Sequence, residues 1–423
     1  MIVIYTPKVT NRIEYIFDFI FTRYFGIPYE LIQDSNIIQM PENIYINYSS
    51  EHFKGFYSIY RDDLLLQESI TSQHLFISRE HQMPVLFQTT DHFDLRFDIF
   101  SCIFYLLTRY EEYLPHETDV HGRYKSSNSI LSKHEFNFSP IVELWLNHFK
   151  NELLQINSSM QFREYSFEYL PTFDIDNAFK YRGRNWLKRP PNIFKKEYRT
   201  SLLSGNDPFD TFDFILEEIE KNKLNPLFFF LLSDGNKNDS NVSPHSEKLH
   251  ELIKRIGIAG FKTGIHTSYC AMEDHTIEEE KKLLEGLSST RTILCRQHFL
   301  RINFPEYFRN ISKAGIEIDY SLAYPDVIGF RAGFSREFPY FDLIENRSTK
   351  LILQPSAWMD ATYEYYQTKN YLKLTQEFLQ FIRQIWKING KLVTIFHNDL
   401  IAKEDYRNAF QFINNHVNVD YEK

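Results

Sequence analysis

Two carboxylates stand two residues apart at the end of an apolar run: Leu170-Pro171-Thr172-Phe173-Asp174-Ile175-Asp176-Asn177. On a strand, residues i and i+2 share a face. A strand ending at Asp174 therefore puts both carboxylates at its exit, where α/β proteins gather their chemistry. Two acids held close do not ionise independently: one keeps its proton, or a cation sits between them. Metal ligands and a proton donor are therefore expected further along the chain. Candidates end other apolar runs: His266 and Cys270 in Gly264-Ile265-His266-Thr267-Ser268-Tyr269-Cys270, Arg296 and His298 in Cys295-Arg296-Gln297-His298, and His397 in Ile395-Phe396-His397-Asn398. An isolated Asp-x-Asp also reads as an Asx turn closing a strand, and a lone strand-end histidine reads as a satisfied structural group. Three such strands together with the acid pair argue for one shared site.

The elements that must position these residues alternate in type from about residue 166. Seven strands are expected, at 167–173, 226–232, 261–265, 292–297, 316–321, 350–354 and 391–396, with amphipathic helices between them. Asp210 is the expected cap of a helix that buries Phe212, Ile215, Leu216 and Ile219. Further helices start at Ile277, at Pro305 (ending at Gly315) and at Leu374 (ending near Ile388). Without a Gly-rich phosphate loop, seven β-α repeats favour a barrel over a dinucleotide fold. Residues 1–165 read as a smaller α/β domain. Its elements are a strand at 2–5, a helix through Ile13 to Phe21, strands at 44–46 and 74–77, and a buried helix from Asp98 to Tyr113. Asp119 to Lys133 reads as an ordered loop. Arg109, Glu111, Glu112, His121 and Arg123 read as satisfied structural charges, with a polar network as the alternative.

Composition narrows the function. The chain has 423 residues, enough for two or three domains, and is 43% hydrophobic and 24% charged, as ordinary globular proteins are. A net charge of −9 argues against general nucleic-acid binding. Aromatics make up 17%, a surplus compatible with a carbohydrate ligand. Three cysteines, Cys102, Cys270 and Cys295, make no disulfide framework and fit a reducing compartment. Met1-Ile-Val-Ile-Tyr-Thr-Pro lacks a basic start and a cleavage site, and no apolar run approaches a membrane span, so a cytoplasmic protein is expected.

The strand-end residues, taken in order, resemble the polysaccharide deacetylases with a NodB-like domain (carbohydrate esterase family 4-like). The resemblance covers about 166–400. It rests on Thr172-Phe173-Asp174-Ile175-Asp176, then His266-Thr267-Ser268-Tyr269-Cys270, then Arg296, then Gly315-Ile316-Glu317-Ile318-Asp319-Tyr320-Ser321, and finally Ile395-Phe396-His397. Arg109-Tyr110-Glu111-Glu112-Tyr113 and Gly329-Phe330-Arg331-Ala332-Gly333 also look like a bacterial subgroup with an added N-terminal domain. The resemblance implies a distorted (β/α)7 barrel spanning 166–423. It also implies a metal-dependent hydrolase that releases acetyl groups from an N-acetylated sugar or polysaccharide precursor. Asp174 matches the general base, Arg296 the residue holding it, His397 the general acid, and Asp176 and His266 metal ligands. The expected cofactor is a divalent cation, with zinc first. The family's second metal histidine, four residues after the first, is Cys270 here. Three readings follow: His298 replaces it, the Cys270 thiolate is the ligand, or the site is degraded and the barrel binds sugar silently. His298 is placed first and Cys270 second.

Candidate substrate contacts are Tyr269, Arg331, Trp358 and Asp360. In related barrels an apolar floor near the last two receives the acetyl methyl. Arg331 and Arg336 are expected to line the same cleft. Lys180 to Arg199 carries eight basic residues against one acid and suits an acidic glycan or a lipid-linked phosphate, or is a solvated loop. Glu278-Glu279-Glu280 reads as an exposed helix face. A metal-dependent amidase acting on a small non-glycan amide is a third functional reading.

Overall fold

The apolar run at the N-terminus becomes strand β1 (Ile2–Tyr5), buried along its first three residues. Thr10 then caps a helix, its hydroxyl accepting from the Ile13 amide at 3.2 Å. This helix, Asn11–Phe17, continues as a π-type stretch, Asp18–Phe25, and stops at Gly26 with φ 70°. Strands β2 (Tyr29–Ile32), β3 (Ile44–Ser49) and β4 (Tyr57–Tyr60) complete a parallel sheet in the order β2-β1-β3-β4. A short antiparallel pair follows, β5 (Ser78–Glu80) and β6 (Met83–Val85). The structure, a computed structural model, describes the chain apart from residues 36–39, 41, 76, 81–82, 90–91, 184–194, 234–236, 272–275, 368, 370 and 418–423.

Two expectations for this region change. Pairing begins at Ser78 rather than at 74–77, where Phe76 lies outside the described residues. The helix expected over Asp98–Tyr113 stops at Leu107. Asp98 caps it, accepting from the amides of Phe100 and Ser101, and burial pushes this carboxyl up to about 6. The break comes at Arg109, whose φ of 52° turns the chain out of the helix. That turn aims its guanidinium at Glu112 and at the Arg331 carbonyl. A left-handed non-glycine residue is costly and persists where surrounding contacts hold it.

The second sheet has nine strands: β7 (Glu168–Ile175), β8 (Leu227–Leu231), β9 (Lys262–Thr267), β10 (Leu294–Gln297), β11 (Ile318–Asp319), β12 (Phe338–Asp342), β13 (Arg347–Leu353), β14 (Trp358–Met359) and β15 (Lys391–His397). Their order is β12-β13-β11-β10-β9-β8-β7-β15-β14, parallel except for β12 on β13. All seven expected strands are present, and β12 and β14 are additional.

The closed barrel is not found: no strand pairing joins β12 or β13 to β14 among the described residues. The chain segment between β13 and β14 spans the gap instead. Gln354 donates to the Asp319 carbonyl at 2.8 Å and Ser356 to that of Leu322 at 3.2 Å, while Ala357 donates to Val393 on β15 at 3.0 Å. Inside the curl, Leu227, Phe229, Leu294, Tyr320 and Val393 form one apolar cluster. Gly264 makes room for it, since a Cβ there would lie 2.6 Å from the Phe229 ring.

One apolar core runs from β1 through the central helices to the C-terminal helix Glu404–His416. A buried ion network links residues 109–112 to the loop between β11 and β12. Arg331 donates to Glu112 (Nε to Oε1, 2.8 Å), and Arg109 Nε donates to the same oxygen at 2.8 Å. Arg331 is therefore an internal tie, not a cleft residue. Arg336 is likewise bound to Glu168 and to the carbonyls of Ser166 and Asn389. Asp210 pairs with Arg182 at 3.0 Å rather than capping its helix, which starts after Thr211. No helix among the described residues is long and apolar enough to cross a membrane.

Candidate active site

The exits of β7, β9, β10 and β15 meet at one cleft. Asp174 pairs in register with His397 of β15 on one side and Phe229 of β8 on the other. Its Oδ1 accepts from Arg296 Nη1 at 2.6 Å. Arg296 reaches it across two strands, over the Phe229 ring at 4.5 Å. The rest of the guanidinium is held by the Tyr320 carbonyl (3.1 Å), Thr172 Oγ1 (2.7 Å) and Ser356 Oγ (3.1 Å). A fully buried Arg with this many fixed contacts locks one oxygen of Asp174 and leaves the other to the cleft.

Asp176, His266 and His298 converge so closely that one atom from each lies within 4.8 Å of the others. His266 Nδ1 faces the Arg296 carbonyl at 2.8 Å, and a carbonyl only accepts, so Nδ1 carries the proton. His298 Nδ1 likewise faces the Asp239 carboxylate at 2.7 Å. In the neutral rings both Nε2 atoms are then lone pairs. They lie 3.0 Å and 3.3 Å from the two oxygens of Asp176. Asp176 Oδ1 is buried with no hydrogen-bond donor among the described residues. Acceptors facing acceptors at this range need positive charge between them, either imidazolium protons or one cation. Burial pulls the His298 pKa down, but Asp176 and Asp239 raise it to about 9. Burial pushes the Asp176 carboxyl up, and His298 with His266 holds it well below the usual range. Two imidazoles and one carboxylate, each histidine oriented through its far nitrogen, are a donor set that fits a divalent transition metal.

His397 ends β15. Its Nδ1 lies 2.6 Å from Asp360 Oδ1, and its amide donates to Asp360 Oδ2 at 2.8 Å. Nε2 points inward, 3.7 Å from Asp176 Oδ2. Burial would lower its pKa, but Asp360, with Asp176 and Asp174 beyond, raises it to about 10. The cleft of about 100 Å³ is lined by Arg123, by Phe299 and Leu300 after β10, and by Met359, Tyr365 and Tyr366 from β14 and the helix that follows it.

Asp174, Asp176, His266, Arg296, His298 and His397 thus stand together. Cys270 is half-buried in the turn after β9 and is not in the converging triad. Trp358 is buried behind the cleft against Phe396 (5.3 Å) and Phe378 (5.7 Å). Asp360 contacts His397 and is itself buried. Tyr269 lies beside the cleft, its hydroxyl 3.1 Å from His121 Nδ1. In the basic stretch, Lys180 pairs with Glu197 and Arg182 with Asp210, while 184–194 lies outside the described residues. Glu278 and Glu279 are exposed as expected, but Glu280 is buried. It accepts from the Ser268 amide at 3.0 Å, and burial pushes it up to about 7.

The sequence reading does not single out Asp239, and it takes Arg123 as a structural charge rather than a cleft residue. Asp239 sits in the connection after β8 with no periodic pattern to mark it. Arg123 lies in the N-terminal part of the chain, well before β7. An Asp and an Arg in polar loops carry no signal until the fold brings them to a histidine or a cleft.

The family of unknown function (DUF7033) matches residues 2–158. No curated protein sequence matches the chain. Among solved structures, a protein assigned as a polysaccharide deacetylase from Mycobacterium smegmatis aligns with TM-score 0.44 and 15% identity, over 61% of this chain and 86% of that one. The Puue allantoinase aligns with TM-score 0.42 and 11% identity, over 61% and 86%. A second protein assigned as a polysaccharide deacetylase, from Pseudomonas aeruginosa PAO1, gives TM-score 0.40 and 12% identity, over 60% and 85%. Likenesses this distant do not set the function, which is argued here from the site.

Proposed function

We propose that this chain is a metal-dependent hydrolase that removes the acetyl group from an N-acetylated sugar. The observation that supports the reading most is the convergence of three buried acceptors, Asp176, His266 Nε2 and His298 Nε2, with both histidines oriented from behind. These three residues would hold the cation. When bound, a divalent metal supplies an activated water and polarises the acetamide carbonyl.

The protein's own groups do the rest. Asp174, with Oδ1 fixed by Arg296 and Oδ2 3.7 Å from His266 Nε2 on the cleft side, accepts the proton of the attacking water as general base. Arg296 keeps that carboxylate oriented. His397 holds a proton at Nε2, with Asp360 fixing its Nδ1, and delivers it to the departing amine, which leaves poorly as an anion. Met359, Ala361 and Leu300 give the acetyl methyl an apolar surface.

The test is acetate release from a panel of N-acetylated sugars by protein reconstituted with zinc, cobalt or nickel. Turnover that disappears with chelator and returns with metal is the expected result. No acetate from any member with any metal would count against the assignment. Asp239 provides a second check, because it orients the third ligand without touching the metal position. Asp239→Ala is expected to weaken metal binding by about 10–100-fold, read by competition with a chromophoric chelator. Unchanged affinity would remove His298 from the ligand set.

A further inference from the structure

The turn 118–124 reaches the cleft from the N-terminal part of the chain. It is built locally. Thr118 and Tyr124 bridge, the Asp119 carboxylate accepts from the amides of His121 (2.9 Å) and Arg123 (3.0 Å), and Gly122 takes φ 73° with open space around it. This rigid turn projects Arg123, which is 2% exposed.

The Arg123 guanidinium ties the two walls of the cleft together. Nη1 donates to the Phe299 carbonyl at 2.8 Å on the wall after β10. Nη2 donates to the Tyr366 hydroxyl at 2.7 Å on the wall after β14. Nε donates to Asp119 Oδ2 at 2.8 Å, so the charge is balanced within the turn. The anchored wall is itself held in unusual backbone: Phe299 and Leu300, directly after His298, have φ of 62° and 52°. Arg301 Nε donates to the His121 carbonyl at 3.0 Å, and the His121 ring packs on Phe299 at 4.9 Å. The cross-tie therefore sets a buried, fully engaged cation in the lining of the cleft. A polymer running straight through would have to strip it of partners.

We propose that this turn selects the substrate: the site takes an acetylated sugar unit that is free or at a chain end, and rejects an internal unit of a long polymer. The proposal rests on the deacetylase reading, and Arg123 acts in it as a positioning residue.

The experiment compares metal-reconstituted wild type, Arg123→Ala and Arg123→Lys. The probes are an N-acetylated monosaccharide and two tetrasaccharides, one acetylated only on a terminal unit and one only on an internal unit. Binding of the monosaccharide and of a long acetylated polymer is measured alongside. Wild type is expected to favour the terminal over the internal substrate by at least about tenfold in kcat/KM and to bind the polymer only at its chain ends. Arg123→Ala narrows that ratio through a lower KM for the internal substrate and gains polymer binding. Arg123→Lys, too compact a donor to span both walls, lies between. Thermal melting confirms that both variants fold. Equal handling of both tetrasaccharides by wild type, or a ratio unmoved in Arg123→Ala, overturns the proposal and leaves the deacetylase reading standing. No acetate and no sugar binding from any probe overturns that reading, and the proposal with it.

Discussion

Asp174→Asn is expected to lower acetate release by about 10²–10⁴-fold, the range that a general base contributes, while metal content stays at the wild-type level. The two halves of this result have separate origins. Asn keeps the shape of Asp174 and an oxygen for Arg296 Nη1, so the 2.6 Å contact that orders the pocket survives. It has no second carboxylate oxygen to take a proton. The proposed metal ligands are Asp176, His266 and His298, and His266 Nε2 lies 3.7 Å from Asp174 Oδ2. A steady-state assay paired with elemental analysis reads both halves. Activity within about threefold of wild type would take Asp174 out of the base role.

The second large effect concerns stability. Glu112 is shared by Arg331 and Arg109, and all three side chains are almost wholly buried. Removing it leaves the Arg331 guanidinium without its carboxylate and Arg109 with Glu111 alone, the two guanidinium groups still buried together. Breaking a buried pair in this way costs about 3–5 kcal/mol, so Glu112→Ala is expected to shift the urea midpoint by that amount, and loss of the folded state is compatible with it. Burial pushes the Glu112 carboxyl up, but Arg331 and Arg109 outweigh burial and hold it below its ordinary value of 4.5. The sign follows from this. Its stabilising contribution is complete above the unfolded value and is lost as pH falls through the lower folded value. Glu112→Gln is therefore expected to flatten the acid limb of stability below about pH 4.5. A urea midpoint equivalent to less than about 1 kcal/mol, as exposed pairs give, would contradict the network.

How much of this was legible in the sequence follows from the physics of each residue. Asp174, Asp176, His266, Arg296, His298 and His397 were legible because strand ends of an α/β sheet point one way. Apolar runs that stop at polar residues therefore predict neighbours in space. The seven strands were legible for the same reason. β14 was not, because two residues carry no period, and β12 was not, because it runs antiparallel among parallel neighbours. Closure was overestimated since pattern counts strands without showing what fills the gap. Here the segment Gln354–Ala357 fills it. Arg331 was assigned to the cleft from its loop position, and Trp358 from its place after the sixth strand and the likeness to related barrels. The fold turns Arg331 toward Glu112 and Trp358 into the core. Asp239 and Arg123 depend on tertiary approach across long separations, which one sequence does not encode locally.

Asp176, His266 and His298 are proposed to bind a divalent metal. Elemental mass spectrometry of the purified, reconstituted protein, with His266→Ala, His298→Ala and Cys270→Ala alongside, tests this binding most directly. About one ion per chain is expected in the wild type and in Cys270→Ala, as a single Asp-His-His donor set dictates, with loss in both histidine variants. A wild type that holds no metal after reconstitution, or a Cys270→Ala variant that loses it while His298→Ala keeps it, would contradict the account.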